Sequence, residues 1–203
     1  ILLSPGEALA QTYLFSMDQL TAHVYWQEDG TASLAYEFIF TNNPSASPID
    51  YVDVGLPNGD FDVNTIEADV DGKMISDISR SGYQGSGTGV ALGLGANAIR
   101  PGQTGTVHVY VGTIRNMVYI DSQGDNYVSG VFVPTWFGSE YLTGTTDMMV
   151  IFHLPPGVQT EEPRWHESPS GWPSEPQTGL DEDGRVIYTW ANPNARGYSQ
   201  YEF

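Results

Sequence analysis

The chain has 203 residues, 40% hydrophobic and 12% aromatic, with 23 Gly, 13 Pro and no Cys. That is ample apolar material for a core, and it excludes a disulfide framework and any thiolate metal site. With 25 acidic against 7 basic residues the formal net charge is −18 at pH 7, which repels phosphate backbones and anionic headgroups and argues against nucleic acid as a partner. No run of roughly 18 apolar residues is present, so no segment has the length and apolarity of a membrane-crossing helix. An acidic surface fits an exported protein, a divalent-cation binder and a salt-adapted protein equally well.

Residues 1–12 have two readings. Ala8-Leu9-Ala10 after an apolar start resembles the end of a signal peptide, whereas Ser4, Pro5 and Glu7 make the N-cap, first turn and capping box of a short helix. From residue 13 onward the chain reads as folded body. Leu20, Ala22, Val24 and Trp26 alternate with Thr21, His23, Tyr25 and Gln27. A second alternating run over 31–41 places Leu34, Tyr36, Phe38 and Phe40 inward. Asp29-Gly30 between the two predicts a hairpin with both turn residues at positive φ. Further strands are expected over 49–56, 61–70 and 73–78, with a second Asp-Gly turn at 71–72. The Ser- and Gly-rich stretch 79–88 reads as an exposed loop. Short strands at 90–94 and 98–100 precede a long one over 103–114, in which Val107, Val109 and Val111 oppose Thr106, His108 and Tyr110.

Two apolar runs, 128–137 and 148–154, predict a central strand pair, the second covered on both faces or nearly so because it is bulky at almost every position. Residues 160–182 lack periodicity and read as a long loop holding Trp165 and Trp172. Asp183-Gly184 and the alternation after it predict a last hairpin. The sum is an all-β, largely antiparallel sandwich of immunoglobulin-like or jelly-roll type with little helix, over residues 13–203. It is elaborated, or divided near 79–89 or 120–128 into two packed sandwiches.

Chemistry is thinly marked. His23, His108, His153 and His166 lack metal-ligand spacing, which argues against zinc. Asp121 with Asp125, and Asp181 with Asp183, are the calcium candidates, although turn chemistry accounts for acids at such positions and no other cofactor is expected. Glu140 with Asp147, or Glu161 with Glu162, are the pairs a glycoside hydrolase would use, but no nucleophile elbow, P-loop or dinucleotide fingerprint exists. Trp136, Trp165, Trp172 and Tyr141, with Trp190 and Tyr83 nearby, form the alternative reading, an aromatic platform for sugar rings. Against it, Trp136 and Trp190 end strands and Trp165 and Trp172 pin the long loop.

Three stretches, Asp50-Tyr-Val-Asp-Val-Gly-Leu-Pro-Asn-Gly59, Pro134-Thr-Trp-Phe137 and Phe152-His-Leu-Pro-Pro-Gly157, resemble exported bacterial proteins of unknown function in which an extracytoplasmic β-sandwich precedes a membrane anchor. The resemblance implies a cell-surface or secreted location and an anchor outside these residues, and it carries over no functional residue. The expected function is a non-catalytic structural or interaction domain whose partners are other proteins or cell-surface polymers.

Overall fold

The computed structural model describes residues 12–122, 124 and 127–203. Of the stretch 1–12, all but Thr12 falls outside the described residues, and with it both readings of that stretch, as does Asp125. Among the described residues thirteen strands follow in order: β1 (Phe15–Trp26), β2 (Ala32–Asn42), β3 (Tyr51–Leu56), β4 (Ile66–Val70), β5 (Lys73–Ile75), β6 (Asp77–Ser79), β7 (Thr88–Gly93), β8 (Thr104–Ile114), β9 (Tyr119–Ile120), β10 (Val128–Ser129), β11 (Thr146–His153), β12 (Gln177–Leu180) and β13 (Val186–Ala195). Among the described residues the helical pieces are two 3-10 turns, Val63–Thr65 and Gly95–Asn97. The protein is all-β and sandwich-like.

An eight-stranded sheet runs β12-β13-β11-β1-β2-β8-β4-β5, a three-stranded sheet β3-β7-β6, and β9 pairs with β10. Period-2 alternation puts Leu20, Ala22 and Val24 of β1 and Leu34, Tyr36, Phe38 and Phe40 of β2 on one buried face. Val107, Val109 and Val111 of β8 continue it. Val52 and Val54 of β3 and Val90 and Leu92 of β7 join the same apolar cluster, so the small sheet is held to the large one by side chains of both. The stretch 79–89 joins β6 to β7 within one sheet.

Three Asp-Gly turns differ in kind. At 71–72 both residues have positive φ, 51° and 76°, and Val70 pairs directly with Lys73, the two-residue turn whose twist matches the strands. At 29–30 only Gly30 is positive, φ 79°, because the closing pair is Trp26 with Ala32 and a five-residue connection needs one left-handed residue, not two. At 183–184 again only the glycine is positive, φ 77°.

The central pair expected from 128–137 and 148–154 is half right. β11 lies in the middle of the large sheet and is buried from Val150 to His153, but its neighbours are β13 and, in parallel, β1. Residues 128–137 form a strand only at Val128 and Ser129, and Val128 is 68% exposed. Pro134 offers no N–H to a ladder, and the remaining amides go elsewhere: Phe132 exchanges both hydrogen bonds with Phe203 at 2.9 Å, and Phe137 N–H donates to the Gly197 carbonyl at 3.0 Å. The run is apolar because it crosses the edge of the core, with Phe132 fully buried.

Candidate functional site

The crossing segment makes one wall of a cleft of about 750 Å³, and the outer face of β3 makes its floor. Val52 and Val54 point into the core, so alternation aims Tyr51, Asp53 and Gly55 the other way. The wall is tied to the floor by Thr135: Gly55 N–H donates to Thr135 Oγ1 at 2.8 Å, and Thr135 N–H donates to the Tyr36 hydroxyl at 3.3 Å. Because β3 is the outer strand of its sheet, Thr135 satisfies an edge amide that no neighbouring strand reaches.

Gly55 and Gly89 are paired across β3 and β7. Tyr83 lies on the bare surface they leave: a Cβ on residue 89 would strike its ring and the Val54 carbonyl, and one on residue 55 would sit 3.5 Å from its hydroxyl. The Tyr83 hydroxyl donates to the Ser86 carbonyl at 2.9 Å. Burial raises the Tyr83 pKa, and the nearby Asp53 adds to the shift. On the opposite side Tyr13 meets Tyr51 edge to face at 5.3 Å, and its hydroxyl donates to Asp50 Oδ1 at 2.6 Å.

Asp53 is the cleft's unusual group. Its Oδ2 accepts from the Gln84 N–H at 3.1 Å, while Oδ1 is sealed from solvent and has no partner among the described residues. Burial pushes its carboxyl pKa up, with only that N–H pulling the other way. Glu140, nominated from sequence as a hydrolase acid, lies on the rim; its proposed companion Asp147 sits on β11 and does not line the cleft.

Of the four aromatic residues nominated for sugar binding, Trp136 and Tyr141 line this cleft, Tyr141 44% exposed. Trp172 is buried against Tyr201 and Phe203, and Trp165 stands 40% exposed with its ring edge-on to Tyr188, so neither joins them. Tyr13 and Tyr51 were not singled out from sequence. Tyr51 was legible in principle, lying two positions from Asp53 on the polar side of an alternating strand.

A second polar array crosses the outer face of the large sheet. Asp181 Oδ2 contacts His153 Nδ1 at 2.7 Å, and His153 Nε2 contacts His23 Nδ1 at 2.9 Å. An ionised carboxylate only accepts, so His153 donates to Asp181 from Nδ1, while the donor in its contact with His23 depends on the tautomer. Burial raises the Asp181 pKa, but the hydrogen bonds from His153 and from the Arg185 and Asp183 amides outweigh it, leaving the carboxyl below its usual value. His23 is lowered, first by burial and then by His153, against a smaller pull from Glu37. Further along, His108 bonds Asp69 at 3.1 Å and Glu37 at 3.2 Å. Of the calcium candidates, Asp181 holds His153 and its own turn, and Asp121 holds the Ser129 hydroxyl and His166. Among the described residues no group of three or more such side chains gathers as a metal site.

No protein-family model and no curated relative matches the sequence. Solved structures do match its fold. The M1 zinc metallopeptidase from Deinococcus radiodurans is similar at 13% identity and a TM-score of 0.52 over 94% of this chain and 42% of that one. A substituted form bound to a Tyr-Ser-Ala substrate gives 12% and 0.52 over 93% and 41%. A two-domain M1 zinc metallopeptidase bound to L-tryptophan gives 12% and 0.53 over 95% and 43%. The likeness is one of fold, and the chain spans about two-fifths of the length of the chains it matches. A helical His-Glu-x-x-His zinc signature is absent from its sequence.

Proposed function

We propose that this chain is a non-catalytic interaction module of a larger extracytoplasmic protein, and that it holds a polypeptide partner in the cleft between β3 and residues 131–141. The observation that carries the reading is the cleft itself: a concave, aromatic-walled volume of about 750 Å³, within the size range of ligand sites. Its wall is pinned to a strand edge by a dedicated hydrogen bond. The fold likeness supports a role as the β-rich part of a protein of metallopeptidase type, with the zinc chemistry outside these residues. The extracytoplasmic placement rests on the resemblance of the turn motifs. A second reading, oligosaccharide binding, is favoured by Trp136 and Tyr141 meeting in the same cleft.

Amide chemical-shift mapping of the ¹⁵N-labelled chain tests both readings. A random hexapeptide mixture is expected to shift amides in 51–55, 83–88 and 131–141. Shifts there with cellohexaose and not with peptides would replace the first reading by the second. Shifts confined to other surfaces, or hydrolysis of peptides by the chain with added Zn²⁺, would overturn the proposal.

A further inference from the structure

The cleft's chemistry is one-sided. Asp53 and Glu140 line it, and no Lys, Arg or His does so among the described residues. An anion would meet two carboxylates and nothing to neutralise it, so phosphate, sulfate and acidic side chains are rejected by charge alone. Neutral ligands without a hydrogen-bond donor are admitted but leave Asp53 Oδ1 as it stands, a desolvated oxygen without a donor among the described residues, which is a costly state for a carboxylate. Only a donor or a cation relieves it.

The walls point the same way. Tyr51, Tyr83, Trp136 and Tyr141 all line the cleft, and aromatic faces attract cations through their ring quadrupoles. Tyr51 and Tyr141 are 40% and 44% exposed, so their rings are open to contact. A long side chain with an apolar stem and a charged head matches that order, stem on the rings and head at the carboxylate. The volume is large enough for one such side chain with the backbone that carries it.

We propose that the cleft receives a basic side chain, the lysine ammonium or arginine guanidinium of a polypeptide partner, with its head at Asp53 and its stem against Tyr51 and Tyr141. The inference rests on the cleft being the binding surface and adds which chemical group enters it. The loop whose Gln84 N–H holds Asp53 Oδ2 carries Gly82, Gly85 and Gly87 and has no strand pairing of its own between β6 and β7, so it is the element that must yield for the head group to reach the sealed Oδ1. Burial already favours the neutral carboxyl, and an entering cation reverses that preference by stabilising the ionised form.

Three blocked tripeptides separate charge from shape: acetyl-Gly-Lys-Gly-amide, acetyl-Gly-Arg-Gly-amide and acetyl-Gly-norleucine-Gly-amide. Titrated by NMR, the charged pair is expected to shift amides in 51–55, 83–88 and 131–141 and to bind about tenfold more tightly than the norleucine peptide. Whichever of Lys and Arg binds better identifies the head group. Asp53→Asn, checked for an unchanged amide spectrum elsewhere, is expected to bring the charged peptides to the norleucine level. Added NaCl on the unaltered protein gives a readout that needs no variant, weakening only the charged pair. Equal affinity for all three peptides, or full affinity in Asp53→Asn, would overturn the inference while leaving the cleft a binding surface. Absence of cleft shifts with these peptides, when the hexapeptide mixture still shifts the cleft, would also overturn it alone. Silence of the cleft toward both sets would remove the inference and the function together.

Discussion

Replacing Thr135 by Val removes one hydroxyl at nearly constant shape, and the structure says what that hydroxyl does. Thr135 is 4% exposed and accepts the Gly55 N–H at 2.8 Å. The substitution forfeits that hydrogen bond and leaves the edge amide of β3 facing two methyl groups. A lost bond costs about 1 kcal/mol and an orphaned buried donor about 1–3 kcal/mol. Gly55 is only half-buried, so water partly replaces the partner, and the expected loss is about 1–2 kcal/mol. For a chain of this length that lowers Tm by about 2–8 °C. Urea unfolding gives the energy, and hydrogen exchange gives the location: the Gly55 amide should lose protection while β11 amides keep theirs. A loss under about 0.5 kcal/mol with Gly55 still protected would refute the idea that Thr135 pins the wall to the floor.

Gly85→Ala puts a Cβ 2.5 Å from the Tyr83 hydroxyl oxygen and 2.6 Å from Cζ, with no backbone atom among its nearest contacts. The ring is expected to leave and the raised Tyr83 pKa to fall toward the ordinary tyrosine value, seen by NMR of ring-labelled Tyr; an unmoved titration would contradict the packing described. Phe132 is fully buried beside Tyr36 and Phe152, and Phe132→Ala is expected to cost about 3–5 kcal/mol in urea unfolding, whereas under about 1 kcal/mol would mean that residues 131–137 do not belong to the core. The histidines predict opposite pH limbs. His23 is lowered in the folded state, so below 6.5 the unfolded chain binds more protons and stability rises with pH through that window. His108 is raised, first by its hydrogen bond to Asp69, so its contribution is full below 6.5 and is lost as pH climbs through the raised value. His23→Gln should flatten the acid limb and His108→Gln the alkaline one, and an acid limb unchanged by His23→Gln would contradict the burial of His23 against His153.

Strands announced by alternation were legible, because period 2 is written locally: Leu34, Tyr36, Phe38 and Phe40 face inward as the pattern requires. The Asp71-Gly72 turn was legible for the same reason. The parallel pairing of β1 with β11 was not, since Leu20 and Met148 lie far apart in the chain and nothing local encodes such a partner. The run 128–137 misled because apolarity reports burial without reporting pairing, and Pro134 together with the Phe132–Phe203 bonds diverts it from a ladder. The cleft was half visible. Trp136 and Tyr141 stood out as aromatics, but Asp53 and Tyr83 acquire meaning only when the Gly55–Gly89 pair brings the Gly-rich loop down onto β3. Trp165 and Trp172 carried the same composition signal and went elsewhere, one to the surface and one beneath Tyr201 and Phe203.

The most direct measurement is of intermolecular nuclear Overhauser effects between acetyl-Gly-Lys-Gly-amide and the protein. The cleft account predicts cross-peaks from the lysine Cδ and Cε protons to the rings of Tyr51 and Tyr141, weakened in Asp53→Asn to the level given by the norleucine peptide. Cross-peaks to Trp165 or to the exposed β9–β10 hairpin, with Tyr51 and Tyr141 silent, would contradict it.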